Sequence, residues 1–388
     1  MKFKYYFLFI IIIVTNIVFI LNYDKAVESY KEASIKCKSL IKEEKIDYKN
    51  KDELVLTCIK NIVRSSLDKN EIKEAARELT LLAANDNIFY GYCHLAMHLL
   101  GTELLNYYKT IDNAIKNVNF IDCGNGLSHG VLDQWATKKI SNQEFKSAIL
   151  SCEEIEVISP GGCAEGIGHA SFQSRADLVF DERIENALEK CNYFILPNGG
   201  WHCAYGAMMQ PFFKQNPDLI SEKQLKIPES EKLIMLCEKN AKKIEYVYNG
   251  CISGAGWLMG LKETIRTLEI SDKERIERYI ESENFYDILK NNIIACKIIK
   301  NISASDNCSL QMFSRLPLSW YIGEINFLKR CERLVDLYMI RNCIAGGYEF
   351  IPPVEFKKII SENDKKYNIK ILISDRWSRE RSDKIPLD

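Results

Sequence analysis

The chain has 388 residues, of which 47% are hydrophobic, so it is long enough to bury a sizeable core. Its 52 Lys and Arg residues nearly cancel its 53 Asp and Glu residues, which leaves no electrostatic footprint for nucleic acid. The composition therefore excludes a disordered tail and predicts no nucleic-acid partner.

The N-terminus has the pattern of an export signal. Lys2 and Lys4 precede an almost unbroken apolar run from Tyr5 to Leu21. The residues that follow, 22–25, lack the small-residue site at which a signal peptide is cut. Residues 1–25 are therefore predicted to be an uncleaved transmembrane signal anchor, with the soluble part in the periplasm or extracellular space. Cleavage of the same segment would make the protein secreted.

The next regions are predicted to be helical. Residues 26–87 have a helix-forming, polar composition and are interpreted as a helical lead-in. Residues 88–350 contain a recurring unit in which a cysteine is followed by small residues, as in C-G-N-G-L-S-H-G from Cys123 and C-A-E-G-I-G-H-A from Cys163. Residues 351–388 return to polar sequence and are interpreted as a C-terminal tail.

Each unit is predicted to contain helix A, a loop and helix B. The stretch before an earlier cysteine has helical periodicity, and breaker residues follow it at 159–162 and 197–200. We therefore predict an all-α fold of two-helix repeats, arranged as a solenoid or toroid-like array and stapled by local disulfides.

The fourteen cysteines favour an oxidising compartment, because they are even in number and contain no C-x-x-C pair. Five cysteines lie 11 to 14 residues before a cysteine that starts a unit, and this spacing predicts local disulfides. The four remaining cysteines do not follow this spacing and are paired with their neighbours in the chain. The predicted disulfides are Cys37–Cys58, Cys93–Cys123, Cys152–Cys163, Cys191–Cys203, Cys237–Cys251, Cys296–Cys308 and Cys331–Cys343.

Small residues recur on one face of the predicted B helices, three positions after Cys123, Cys163, Cys203 and Cys251 and also seven positions after the first two. Because Gly costs about 1 kcal/mol against Ala inside a helix, its repetition indicates close helix packing that offsets the loss. The residues concerned are Gly126, Gly130, Gly166, Ala170, Gly206 and Gly254. The residue six positions after the cysteine is expected to line a concave surface, and it is His129, His169, Met209 or Trp257 in successive units.

The cysteine spacing and the small residues of helix B resemble the disulfide-stapled, TPR-like repeats of the Sel1-like class. The resemblance covers roughly residues 88–350. It implies protein binding and assembly, and it assigns no catalytic residue.

All five histidines lie between residues 94 and 202. His94 and His98 are one helical turn apart, a spacing that lets two imidazoles reach one metal ion, and His129 and His169 occupy equivalent places in two units. With Glu165, they form a candidate site for a divalent transition metal. The alternative is that each imidazole is simply hydrogen-bonded to a neighbouring loop.

Two functions follow from these patterns. The first is a membrane-anchored, extracytoplasmic binding or assembly protein with a protein or peptide partner. The second is a metal-binding protein or metal-dependent enzyme that uses the helix B histidines. A P-loop and a dinucleotide-binding motif are absent from the sequence, and neither hypothesis assigns a catalytic nucleophile.

Overall fold

The computed structural model describes the chain from residue 93 to residue 369 with several gaps, together with a few residues nearer the N-terminus. The described residues are 57–59, 61, 79, 93–117, 126–138, 140–156, 161–210, 228–241, 244–268, 270, 273–316, 324–347 and 353–369. Over these residues the regular structure is α-helical throughout, as the sequence predicts. The chain divides into two compact units, residues 1–135 and 136–388.

Three helices of the first unit have described bounds, and the few described residues before them are also helical. The three helices are α1 (Cys93–Tyr108), α2 (Ile111–Asn117) and α3 (Gly126–Trp135). Helices α1 and α3 pack directly against each other, and α2 contacts both. Met97, Leu100 and Leu104 of α1 are fully buried, as are Leu127 and Val131 of α3. Burial of these apolar side chains stabilises the pair.

The second unit contains helix pairs followed by a final helix. In chain order its helices are α4 (Asn142–Glu156), α5 (Gly162–Gln173), α6 (Phe180–Cys191), α7 (Pro197–Met209), α8 (Ser230–Asn240), α9 (Glu245–Leu268), α10 (Lys273–Ile280), α11 (Glu283–Lys297), α12 (Ile302–Phe313), α13 (Glu324–Glu332), α14 (Leu337–Gly346) and α15 (Pro353–Tyr367).

Helix α6 shows why these segments are helical. Its apolar residues Ile184, Ala187, Leu188 and Cys191 share one buried face, as a 3.6-residue period requires. Its first turn is acidic and its last turn is basic, which complements the helix dipole. Four other described helices of this unit begin at a side chain that accepts a hydrogen bond from a backbone N–H of the first turn. These capping residues are Ser141, Ser282, Asn301 and Asp336.

Five disulfides join consecutive helices of the second unit, and they link the same five pairs that the local spacing predicts. They connect α4 to α5, α6 to α7, α8 to α9, α11 to α12 and α13 to α14. Such bonds form in an oxidising extracellular environment. The bonds are Cys152–Cys163, Cys191–Cys203, Cys237–Cys251, Cys296–Cys308 and Cys331–Cys343.

Helices α5, α7, α9, α12 and α14, the second member of each pair, pack on one another in chain order. Glycine permits the close approach. A Cβ atom on Gly168 would lie 2.0 Å from the carbonyl oxygen of Cys203, and one on Gly256 would lie 2.0 Å from that of Cys308. These helices therefore meet backbone to backbone, and the first members of the pairs pack beside them.

Two boundaries differ from the sequence prediction. Residues 197–200, predicted to form a turn, are the first turn of α7. Pro197 opens that helix because the first helical position needs no N–H donor, and Gly199 packs against the ring of Phe194. At 351–388, part of the predicted polar tail forms α15, which buries Phe356, Ile359 and Ile360.

Several predictions fall on residues that are not described. They are the anchor at residues 1–25, nearly all of the lead-in at 26–87, and Cys37 and Cys123, the predicted partners of Cys58 and Cys93. Cys58 is described and is disulfide-bonded. Within the described ranges, no helix combines the length and apolar character needed to cross a membrane.

Candidate metal centre

Helices α1 and α3 pack so closely that their backbones are in contact, and this line of contact is called the seam below. A Cβ atom on Gly130 would lie 2.0 Å from the carbonyl oxygen of His98, and one on Gly126 would lie 2.4 Å from that of His94. The approach is reciprocal, since a Cβ atom on Gly101 of α1 would lie 2.2 Å from the carbonyl oxygen of Leu127. Because the backbones touch, side chains beside these glycines can converge across the seam.

Three histidines converge at this seam. His94 and His98 lie one turn apart on α1, and their Nε2 atoms are 3.0 Å apart. His129, next to Gly130 on α3, approaches both rings, with centroid separations of 5.4 Å to His94 and 5.5 Å to His98. One nitrogen from each of the three rings lies within 4.8 Å of the others.

The three rings differ in exposure. His129 is only 2% exposed, whereas His94 and His98 are half-buried. The cluster is therefore closed on the side of α3 and reachable from solvent on the side of α1. Imidazole nitrogens grouped in this way are typical ligands for transition-metal ions.

A carboxylate lies behind the cluster. The Oδ2 atom of Asp133, one turn after His129 on α3, is 3.1 Å from Nδ1 of His98. Asp133 is 3% exposed. Asp133 is not among the residues predicted from the sequence, although a signal for it is visible there: H-x-x-x-H on α1 is matched by H-x-x-x-D on α3.

Two of the five predicted metal ligands do not join the group. His169 and Glu165 lie on α5 in the second unit, where His169 is buried and Glu165 is half-buried. Among the described residues, the candidate metal group consists of His94, His98 and His129. The repeat position of His169 therefore does not by itself create a ligand set.

The side chains expected to line a concave surface are instead buried. His129, His169, Met209 and Trp257 are all buried, so none of them offers a side chain to a solvent-filled concave face.

The other predicted packing residues lie in the second unit. A Cβ atom on Gly206 would meet the carbonyl oxygen of Glu165 at 2.2 Å, and one on Gly254 would meet the side chain of Met208 at 2.4 Å. Gly166 and Ala170 are buried in α5. On that helix, however, the contact with the α7 backbone is made by Gly168, which the predicted stripe did not include.

Comparisons with protein-family models, with curated proteins and with solved structures found no match. The resemblance to the Sel1-like class therefore depends on the cysteine spacing and on the small residues of the second helices.

Proposed function

We propose that the protein binds a divalent transition-metal ion through His94, His98 and His129. The observation that carries the proposal is the convergence of one nitrogen from each ring to within 4.8 Å of the others. Two helices supply the ligands, so the folded seam, and not a contiguous motif, forms the site.

The spacing of the ligands suits a tetrahedral ion. An ion bound at about 2.0 to 2.1 Å by imidazole nitrogens holds those nitrogens roughly 3.3 Å apart. The Nε2 atoms of His94 and His98 are 3.0 Å apart, so a slight separation admits an ion between them. His129 supplies the third ligand from the buried side after a small rotation of its ring.

The donor set favours some metals over others. Imidazole suits Zn²⁺, Cu²⁺ and Ni²⁺, whereas Mg²⁺ and Ca²⁺ prefer carboxylate and carbonyl oxygen. The described cysteines are oxidised and offer no thiolate. We therefore expect Zn²⁺ or a neighbouring first-row metal.

Three protein ligands leave a fourth coordination position. Because His94 and His98 are half-buried, this position faces the solvent side. An open position occupied by water or by a substrate atom is the arrangement of catalytic zinc sites. Metal-dependent catalysis at this position is the second role that the geometry supports.

The metal site belongs to a larger proposed architecture. The repeated order of first helix, disulfide and second helix supports an array of two-helix repeats that is exported to an oxidising compartment. The predicted anchor would tether this array to a membrane. The protein- or peptide-binding role stays a prediction, since the side chains expected to line its concave surface are buried.

Elemental analysis of the full chain, produced in an oxidising compartment, tests the proposal. We expect close to one transition-metal ion per chain, and near-complete loss of that ion in His98→Ala and His129→Ala. Isothermal titration calorimetry of the metal-free proteins with Zn²⁺ should give a much higher affinity for the wild type than for either variant.

His169→Ala is the matched control, because it removes a buried histidine from the equivalent repeat position of another helix. It should retain the metal. Folded, fully oxidised wild-type protein that neither contains nor binds Zn²⁺, Cu²⁺ or Ni²⁺ would overturn the proposal, as would equal metal loss in all three variants.

A further inference from the structure

We infer that Asp133 is a positioning residue of the metal site, which acts through His98 and strengthens metal binding without being a ligand. This inference deepens the proposed function and rests on it. It assigns a role to a buried carboxylate that contacts His98 of the three-histidine group.

The contact determines which nitrogen of His98 faces the ion. Oδ2 of Asp133 lies 3.1 Å from Nδ1 of His98, on the opposite edge of the ring from Nε2. When Nδ1–H donates to this carboxylate, the lone pair of His98 is on Nε2, which points toward His94. A carboxylate that accepts from the distal nitrogen fixes both the tautomer and the orientation of a ligating imidazole.

Asp133 does not belong to the ligand group itself. The described nitrogens that approach one another closely enough to share an ion come from His94, His98 and His129. The carboxylate contacts Nδ1 of His98, whereas Nε2 of the same ring faces His94. Its effect on an ion must therefore pass through that ring, by orienting it and by raising its basicity.

Burial makes the carboxylate and an ion electrostatically complementary. The Oδ1 atom of Asp133 is buried and has no hydrogen-bond partner among the described residues. A buried carboxylate is costly without a nearby positive charge. A divalent ion on the far side of His98 would supply that charge, and the carboxylate would in turn offset part of the charge that neutral imidazoles leave uncompensated.

The register of the two helices makes the arrangement rigid. His94 and His98 are one turn apart on α1, and His129 and Asp133 are one turn apart on α3. Gly130 packs on the carbonyl of His98, so the two pairs are held opposite each other. A longer side chain at position 130 would break this register.

Zn²⁺ and Co²⁺ binding to metal-free full-length protein tests the inference. We expect Asp133→Ala to weaken Zn²⁺ binding about 10- to 100-fold and to alter the visible spectrum of bound Co²⁺. Asp133→Asn should lose less affinity, because its amide oxygen still accepts from Nδ1–H but carries no charge. In a His98→Ala background, Asp133→Ala should change the residual affinity by less than about twofold, as expected for a residue that acts through His98.

Glu153→Ala is the control for a general structural effect. Glu153 is a buried carboxylate of the second unit whose Oε1 accepts from the backbone N–H of Leu196 at 2.9 Å. Its loss should lower thermal stability and leave Zn²⁺ affinity unchanged. Wild-type binding with an unchanged affinity in Asp133→Ala would overturn this inference alone, whereas absence of binding by the wild type would overturn the proposed function and this inference with it.

Discussion

The α1/α3 pair of the first unit and the α5/α7 pair of the second unit each contain the same kind of glycine-to-backbone contact, but they differ in the polar side chains beside it. In each pair a glycine Cβ would lie 2.0 Å from a carbonyl oxygen of the partner helix, that of His98 for Gly130 and that of Cys203 for Gly168. Both helices of the first pair place histidines at the seam. In the second pair His169 is buried on α5, yet no candidate metal group among the described residues includes it.

The difference indicates that close helix packing is common to both pairs, whereas a candidate ligand group accompanies it, among the described residues, at the α1/α3 seam. Glycine is unfavourable in a helix interior, so each seam must recover that cost through packing. The seam alone specifies no chemistry. Chemistry depends on polar side chains one turn apart on both helices, which meet only when the helices are in the correct register.

The largest expected effect comes from breaking one seam at a time. Gly130→Ala forces a Cβ onto the His98 carbonyl, so α1 and α3 must separate. We expect a loss of stability of at least about 3 kcal/mol, as for severe overpacking, and at least a tenfold loss of Zn²⁺ affinity. Urea unfolding and Zn²⁺ titration measure the two effects.

Gly168→Ala is the matched variant for the second seam, since the clash has the same geometry. It should cost a similar amount of stability and leave Zn²⁺ affinity unchanged. If it weakened Zn²⁺ binding as much as Gly130→Ala does, the inference that close helix packing alone does not determine metal binding would be wrong.

A smaller loss of stability is expected from removing one disulfide bond while the close contacts at both seams are kept. The Cys237–Cys251 bond joins residues 14 apart and both cysteines are fully buried. Replacing both by Ala should destabilise the protein by about 2 to 3 kcal/mol through greater freedom of the unfolded chain, and should not change the metal content. Unfolding in urea checks the first expectation and elemental analysis the second. An unchanged urea midpoint would show that the seams, without the staples, determine stability.

Much of the fold could be predicted from the sequence because its signals are local. A disulfide between residues 11 to 14 apart needs only a helix, a turn and a second helix, so the cysteine spacing was informative. The start of α7 was misjudged because Pro and Gly occur both in turns and in first helical turns. The neighbours of Gly199 and Gly200, Phe194 and Tyr246, explain why glycine is present in that helix.

The candidate site could be predicted only in part because it depends on a non-local contact. The pair His94 and His98 is visible in the sequence, but the partner of α1 is set by the packing of α3 against it. Equivalence of repeat positions suggested His169, which the structure does not bring into the group. Asp133 was missed because its role requires the ring of His98 from another helix.

The two units also differ in how a buried carboxylate is accommodated. Asp133 faces a histidine, whereas Glu263 of α9 accepts from the Arg266 guanidinium at 2.8 Å and from the Tyr279 hydroxyl at 3.2 Å. Glu263 is 1% exposed, and burial raises its pKa despite the opposing effect of Arg266. At neutral pH the ionised form of this side chain therefore costs stability.

The smallest expected effect follows from the sign of that shift. A carboxyl whose folded pKa is raised stabilises the protein below its unfolded pKa of about 4.3, and this contribution is lost as the pH rises through the folded pKa. Glu263→Gln stays neutral, so its stability relative to wild type should increase as the pH rises from about 4 and then level off. Thermal unfolding of both proteins across that range measures the difference. Glu332→Gln should show the opposite sign when the scan is extended below pH about 4. Hydrogen bonds from Tyr367 and Lys366 lower the pKa of Glu332, so its contribution to stability is present above its unfolded pKa and is lost as the pH falls through the lowered folded pKa. Matching signs in the two variants would contradict this assignment.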